Sequence, residues 1–231
     1  MSQSGKQVSL KFILMVLISL LIGGSSHGAT LDEILSHIDQ VGKSLRSMQA
    51  DLLQKKWTDI LSEYDSGEKG TFLFLKDGEQ VLLRKEIMEP TVNSLVIKEG
   101  TVTFYQPSLK QAQQYTLGQN GDKAEFLLLG FGTNKESLKA TYDISLLGEE
   151  TLDEGKTYRI ELKPKSDRVA AFFVKIILWI DAERWIPVQQ QLVEPTQDHL
   201  LISFSNIQLN PKISKSRFDL KLPKDVKLIK N

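Results

Sequence analysis

Cysteine is absent from the 231 residues, and histidine occurs three times. The absence of cysteine excludes a disulfide framework and lipid attachment to an N-terminal cysteine. His27, His37 and His199 show no metal-ligand spacing with one another or with acidic residues. We therefore predict no metal site, no cofactor and no lipid anchor.

Motifs for covalent or phosphate chemistry are also missing. No G-x-S-x-G sequence follows residue 28, and Gly130-Phe131-Gly132 precedes no Lys-Ser or Lys-Thr pair. The acidic pair Glu149-Glu150 lies in a predicted turn, where solvation is expected. We predict no catalytic residues and no enzymatic activity. An exported hydrolase with a convergent acid or histidine site is the weakest alternative.

The chain also lacks a charge excess, with 29 basic and 29 acidic residues. Removal of Lys6 and Lys11 with the segment discussed next would leave 27 basic residues against the same 29 acidic ones. Nucleic-acid-binding proteins usually show a clustered basic excess. We therefore expect no nucleic-acid partner.

One strongly apolar run lies near the N-terminus, at residues 12–22, after Lys6 and Lys11. As a helix it would be about 16 Å long, against about 30 Å of bilayer hydrocarbon. Small residues follow it and permit cleavage after Gly28. We predict that residues 1–28 are a cleaved secretory signal peptide, and that residues 29–231 form one exported, soluble domain.

The rest of the chain shows mainly β patterning. Thr30 and Glu33 form a predicted capping box for a helix over 31–46, and strands with short turns follow. Two helices are predicted at 122–131 and 134–141, before strands return. About eleven strands imply an antiparallel meander that curls, so the predicted fold is mainly β (α+β), with helices over a concave face.

The apolar content of this predicted sheet and lid is compatible with either an ordinary core or a lined cavity for a lipid. On the second interpretation, the wall would share large apolar side chains from strands and from the 122–131 helix. The predicted wall residues are Phe72, Phe74, Leu83, Leu95, Ile97, Phe104, Phe126, Leu127, Leu129, Phe131, Phe173 and Leu178.

Four segments together resemble the periplasmic outer-membrane lipoprotein carriers, the LolA-like family. Residues 31–54 resemble the capped helix and first strand, and residues 70–90 resemble the first long hairpin. The most specific match is 93–107, NSLVIKEGTVTFYQP, with its acidic-Gly turn and its aromatic strand ending in proline. The fourth segment, at 177–187, continues to the Phe-x-x-x-x-Pro sequence at 218–223.

The resemblance implies one LolA-like domain, an open antiparallel half-barrel with a helical lid. It also implies a monomeric periplasmic carrier that holds lipoprotein acyl chains, or other lipids, between the inner and outer membranes. The implied partners are an inner-membrane ABC transporter of the lipoprotein-releasing type and, where one exists, an outer-membrane receptor. The alternative is an envelope-stress or regulatory lipid-sensing module.

The first hairpin departs from the best-studied members. They carry a basic residue and proline where this chain has Lys76-Asp77-Gly78. The basic residue that holds their lid has no clear match, and Arg84 is the candidate substitute. The resemblance therefore does not identify the cargo or the residue that holds the lid.

Overall fold

The computed structural model describes residues 28–116, 126, 128–132, 134–153 and 155–230. Within these ranges the chain forms three α-helices and a 13-stranded sheet. The helices are α1 (Leu31–Ser44), α2 (Lys135–Thr141) and α3 (Asp167–Ala170). The strands are β1 (Ser47–Thr58), β2 (Glu63–Tyr64), β3 (Glu68–Asp77), β4 (Gln80–Glu89), β5 (Asn93–Lys98), β6 (Thr101–Gln106), β7 (Gln111–Thr116), β8 (Tyr142–Leu152), β9 (Gly155–Pro164), β10 (Lys175–Asp181), β11 (Pro187–Val193), β12 (His199–Leu209) and β13 (Lys227–Lys230).

Helix α1 begins at the predicted capping box. The Glu33 amide donates to Thr30 Oγ1 at 3.3 Å, and the Thr30 amide donates to Glu33 Oε2 at 2.8 Å. These bonds satisfy amides that a helix start leaves unpaired. The buried residues Ile34, Leu35 and Ile38 form one stripe, so the predicted helix is confirmed, although it ends at Ser44.

Helix α2 lies beside α1, as charge pairs between them show. Asn134 Oδ1 caps α2 by accepting from the Ser137 amide at 2.7 Å. Lys135 and Lys139 then place their amino groups 2.7 and 3.0 Å from Asp32 in the first turn of α1. The predicted 134–141 helix is therefore confirmed, and it joins α1 in covering the sheet.

The sheet joins two meanders through one long-range pair. Its order is β13-β7-β6-β5-β4-β3-β1-β12-β11-β10-β9-β8, with β2 paired to β1. β1 and β12 pair antiparallel, with Leu52 opposite Phe204. The two ends of this order, β13 and β8, do not pair in the described ranges. The sheet is curled and not closed, as the sequence predicts.

Two short strands raise the count above the predicted eleven. β2 extends the turn after β1, and β13 pairs parallel with β7, so the sheet is not wholly antiparallel. The returning C-terminal segment is held by Phe218, which packs with Leu73 and Leu82. This long-range packing cannot be inferred from local turn signals.

Two local predictions need correction or lie outside the description. The strand predicted from 172 begins at Lys175, because Ser166 caps the short helix α3 and the chain reaches Phe173 by a turn. The predicted 122–131 helix falls mostly outside the described residues. Its described end holds tight turns, with the Phe131 amide donating to the Leu128 carbonyl at 3.0 Å.

Side chains on alternate strand positions divide the sheet into two faces. We define the inner face as the one that packs with α1 and α2, where Ile34, Leu138 and Phe74 share one core. The outer face carries the C-terminal segment on part of its surface. No helix in the described ranges is long and apolar enough to span a membrane.

Candidate functional site

The strand register brings the predicted wall residues of the first meander onto the inner face. Phe74 lies opposite Leu83, and Leu83 lies opposite Ile97. Two positions from Ile97 on the same strand, Leu95 lies opposite Phe104. Because residues paired across a sheet share a face, these side chains form one continuous apolar strip. Whether they bind a ligand stays a prediction.

The second meander continues this face. Leu178 on β10 lies between Ile160 on β9 and Gln190 on β11. The Phe72 and Phe204 rings approach edge to face with centroids 5.1 Å apart, across β1. Leu178 and Phe72 belong to the same buried cluster, so wall residues from both meanders meet in one core.

A lid segment, defined here as residues 126 and 128–132, lies on this core. The Phe131 ring centroid is 5.5 Å from those of Phe72 and Phe204. Phe126 packs edge to face on Phe173 at 4.7 Å. Predicted wall residue Leu127 lies outside the described residues. Phe126, Leu129 and Phe131 are buried, so the lid segment itself occupies space over the sheet.

The predicted wall residues differ in exposure. Leu95 and Phe104 are partly exposed, and so is Tyr115 on β7 of the same meander. The inner face is therefore less covered towards β5, β6 and β7. The remaining described wall residues are buried: Phe72, Phe74, Leu83, Ile97, Phe126, Leu129, Phe131, Phe173 and Leu178.

A polar group that is not among the predicted wall residues interrupts the apolar face. Lys85 on β4 lies between Phe72 and Leu95 in the register. Its Nζ donates to Gln54 Oε1 at 2.9 Å, and Gln54 Nε2 donates to Glu68 Oε2 at 2.7 Å. Burial of its charged end lowers the pKa of Lys85, and the Glu68 charge opposes this.

The alternation of β4 is the sequence signal for this group. Leu83, Lys85 and Ile87 occupy every second position, so a lysine between two core residues must share their face. The side chain of Lys85 is partly buried by area, while its amino end reaches across β3 to Gln54 on β1.

A second polar group on the inner face, Gln190, lies beneath the lid segment. It is fully buried, and its Nε2 donates to the Leu129 carbonyl at 3.0 Å. Its Oε1 has no hydrogen-bond partner among the described residues. Gln190 therefore holds the lid segment through its amide nitrogen alone. Its buried, unpaired carbonyl oxygen is unfavourable for stability.

Lys76 lies where the lid segment meets the end of α1. Its Nζ donates to the Gly42 carbonyl at 2.5 Å, and Gly132 packs so closely that an added Cβ would lie 2.5 Å from Lys76 Cε. Burial lowers the pKa of Lys76, and so does nearby Arg46. Lys76 therefore connects the lid segment to α1.

Arg84, the candidate substitute for the basic residue that holds the lid, faces the other way. Its Nη1 donates to the Arg217 carbonyl at 2.9 Å, and its Nε donates to Glu86 at 2.5 Å. Both contacts lie on the outer face, against the C-terminal segment. Arg84 thus positions that segment and does not contact the described lid residues.

The histidines of the described ranges make ring contacts. His37 stacks on Trp185 with centroids 4.1 Å apart. His199 stacks near Trp57 and bonds the Tyr64 hydroxyl at 2.8 Å, and burial lowers the pKa of His199. The described residues contain no group of three or more potential metal ligands.

Comparisons with known proteins agree with this architecture. A family model described as outer membrane lipoprotein carrier protein LolA matches residues 43–221, most of the chain. The protein therefore belongs to the LolA family. The members of this family are periplasmic binding and carrier proteins rather than enzymes.

Individual relatives are distant. An uncharacterized protein of Methanocaldococcus jannaschii is 22% identical over 216 residues, which is 94% of this chain and 58% of that protein. The chain thus spans little more than half the length of this relative. An uncharacterized conserved protein from Thermus thermophilus has the same fold, with a TM-score of 0.54 at 16% identity, over 87% of this chain and 98% of that one.

MucB of Pseudomonas aeruginosa, in its complex with MucA, is similar at a TM-score of 0.49 and 11% identity. The alignment covers 81% of this chain and 60% of that one.

Proposed function

We propose that this protein is a periplasmic carrier that binds the acyl chains of lipoproteins, or of other lipids, and shuttles them from the inner to the outer membrane. The observation that carries the proposal is the apolar inner face, buried under the lid segment on one side and partly exposed at Leu95 and Phe104 on the other. Residues 1–28 serve as its export signal.

The exposed part of this face suits a partly shielded acyl chain. Each methylene removed from water contributes about 0.8 kcal/mol, so a palmitoyl chain gains roughly 12 kcal/mol when fully covered. Such a chain does not cross an aqueous compartment unaided at a useful rate. A carrier must shield it and later release it, which an apolar surface with few directional contacts permits.

Movement of the lid segment would enlarge the site. Phe131 lies among Phe72, Phe74 and Phe204, where acyl chains would otherwise contact the sheet. Its displacement would exchange one set of apolar contacts for another. Gln190 holds the segment by donating to the Leu129 carbonyl, and Lys76, which is bonded to Gly42 of α1, packs against Gly132.

The proposed partners follow from this role. An inner-membrane ABC transporter of the lipoprotein-releasing type would load the carrier, and an outer-membrane receptor, where one exists, would unload it. A monomer suffices for both steps. If the protein carries no cargo, the alternative function is that of a regulatory lipid-sensing module.

The test is native mass spectrometry with lipid extraction of the protein purified from the cell envelope without detergent. Co-purifying acylated peptides support lipoprotein transport, and free phospholipid supports transport of another lipid. A ligand-free mass, together with no binding of a fluorescent fatty acid, contradicts the carrier function and favours the regulatory module.

A pair of matched variants locates the site. Phe104→Glu places a charge on the partly exposed inner face, whereas Thr103→Glu places the same charge one residue away on the outer face, opposite Val96. We expect the first to abolish probe binding and the second to preserve it. Equal effects would place lipid binding elsewhere.

A further inference from the structure

The inner face holds an ammonium group at a position where its neighbours are apolar. Along β4, Lys85 is flanked on the same face by Leu83 and Ile87, both fully buried. Across the sheet it lies between Phe72 and Leu95. The ammonium therefore belongs to the surface on which the proposed function places acyl chains.

The partners of this ammonium are incomplete. A lysine amino group has three N–H donors, and the described residues supply one acceptor, Gln54 Oε1. The carboxylate whose charge acts on Lys85 is that of Glu68. Glu68 is connected to Lys85 through the Gln54 amide, so donors remain for a further acceptor.

Structural reasons alone do not favour a lysine here. A charged group among apolar side chains is unfavourable unless it is paired and hydrogen-bonded. Methionine would fill a similar volume without a desolvation penalty. Burial also lowers the pKa of Lys85, which agrees with the geometry. A group of this kind beside an open apolar surface indicates a binding role.

The less covered part of the inner face begins next to Lys85. Leu95 is its neighbour on β5, and Phe104 lies beyond Leu95 on β6. A chain that lies on Leu95 and Phe104 and continues across β4 would bring its end to the Lys85 amino group, which lies on the β3 side beside Gln54. The Gln54 amide would be a second polar contact at the same place.

We propose that Lys85, supported by Gln54, is an anchor for the anionic oxygen of a lipid whose acyl chain lies on the inner face. The chemical class is an amphiphile with a carboxylate or phosphate next to its acyl part. This inference rests on the proposed function and narrows it, because the ester and amide oxygens of an acylated protein carry no such charge.

The experiment compares a charged probe with its neutral counterpart. Binding of cis-parinaric acid and of its methyl ester is measured by fluorescence for the wild type, Lys85→Met and Lys85→Arg. We expect Lys85→Met to weaken binding of the acid by about tenfold, a typical loss for one charge-assisted hydrogen bond, and to leave the ester within about twofold. Lys85→Arg should retain most of the preference for the acid.

Arg84→Met is the matched control, since it removes a positive charge one residue away on the outer face. It should change neither affinity. Lys85→Gln carries the same comparison if Lys85→Met does not fold. Dioleoyl phosphatidic acid and dioleoylglycerol as competing ligands separate the sources: a Lys85-dependent preference for the former identifies a headgroup phosphate, and dependence with the free acid alone identifies a carboxylate.

The outcomes separate the two proposals. Equal weakening of acid and ester by Lys85→Met, or no weakening of either, overturns the anchor and leaves the carrier intact. A wild-type protein that binds neither probe overturns the proposed function itself, and the anchor with it.

Discussion

The two meanders have the same alternation of apolar side chains on the inner face, but those side chains are buried to different degrees. On β9 and β10, Ile160, Leu162, Ile176, Leu178 and Ile180 are all fully buried. On β5, β6 and β7, Leu95, Phe104 and Tyr115 are partly exposed. The residue types are similar, so the composition of the strands does not explain the difference.

The difference in burial comes from the elements that pack over each part of the sheet. His37 of α1 stacks on Trp185 between β10 and β11, α2 leads directly into β8, and Phe126 of the lid segment packs on Phe173 before β10. These elements pack over β9 and β10, whereas Ile144 and Leu146 on the edge strand β8 are partly exposed. Apolar residues on β9 and β10 serve the core, whereas Leu95 and Phe104 stay partly exposed, and the proposed function uses them as the acyl-chain surface.

The largest expected difference between the two regions is in stability. Phe72→Ala removes a fully buried ring that contacts Phe131 and Phe204, and should lower the free energy of unfolding by about 3–5 kcal/mol. Phe104→Ala removes a partly exposed ring and should cost less than about 1.5 kcal/mol. Chemical denaturation measures both. Similar losses would mean that Phe104 is core as well.

A smaller effect is expected where the cover meets the open part. Lys76→Met removes the bond to the Gly42 carbonyl and should cost about 1 kcal/mol. Hydrogen exchange should become faster in residues 128–132 of the lid segment and stay unchanged in β9. Unchanged exchange in the lid segment would show that Lys76 does not hold it.

The pH dependence of stability tests the charge on the inner face. Because burial lowers the pKa of Lys85 in the folded protein, the folded state releases this proton more readily than the unfolded state. The free-energy cost of burying the charged ammonium is fully present at pH values below the pKa of Lys85 in the folded state. It disappears as the pH rises towards the pKa of an unfolded lysine, about 10.4. The stability of the wild type relative to Lys85→Met should therefore rise as the pH is raised from neutral towards about 10.5.

A flat difference between the two unfolding free energies over that range would mean that the Lys85 ammonium is well solvated. Arg84→Met, which alters the outer face, is the reference variant. It keeps Lys85, so it shows the pH dependence of the unfolding free energy that a substitution elsewhere leaves in place.

The smallest effect is expected where apolar side chains have no cover at all. Ile60 and Leu61, after β1, are 91% and 62% exposed. Serine at either position should change the free energy of unfolding by less than about 0.5 kcal/mol, as thermal or urea denaturation would show. A larger loss would indicate that these side chains are shielded in solution.

Much of the local structure can be predicted from the sequence. Thr30 and Glu33 specify the start of α1, Asn134 specifies that of α2, and the Asp77-Gly78 and Glu99-Gly100 turns separate strands that the structure contains. Each signal acts between residues only a few positions apart. The assignment to the lipoprotein-carrier family also follows from short segments in a fixed order, and the family match confirms it.

The contacts that define the candidate site depend on tertiary structure. Lys85 and Gln54 are 31 positions apart, and Gln190 meets the Leu129 carbonyl across 61. Phe218 packs against the outer face, and the chain beyond it returns to pair β13 with β7. The sequence determines which residues are apolar and how they alternate. Register, curl and helix placement decide which of them are covered, because these depend on packing between distant segments.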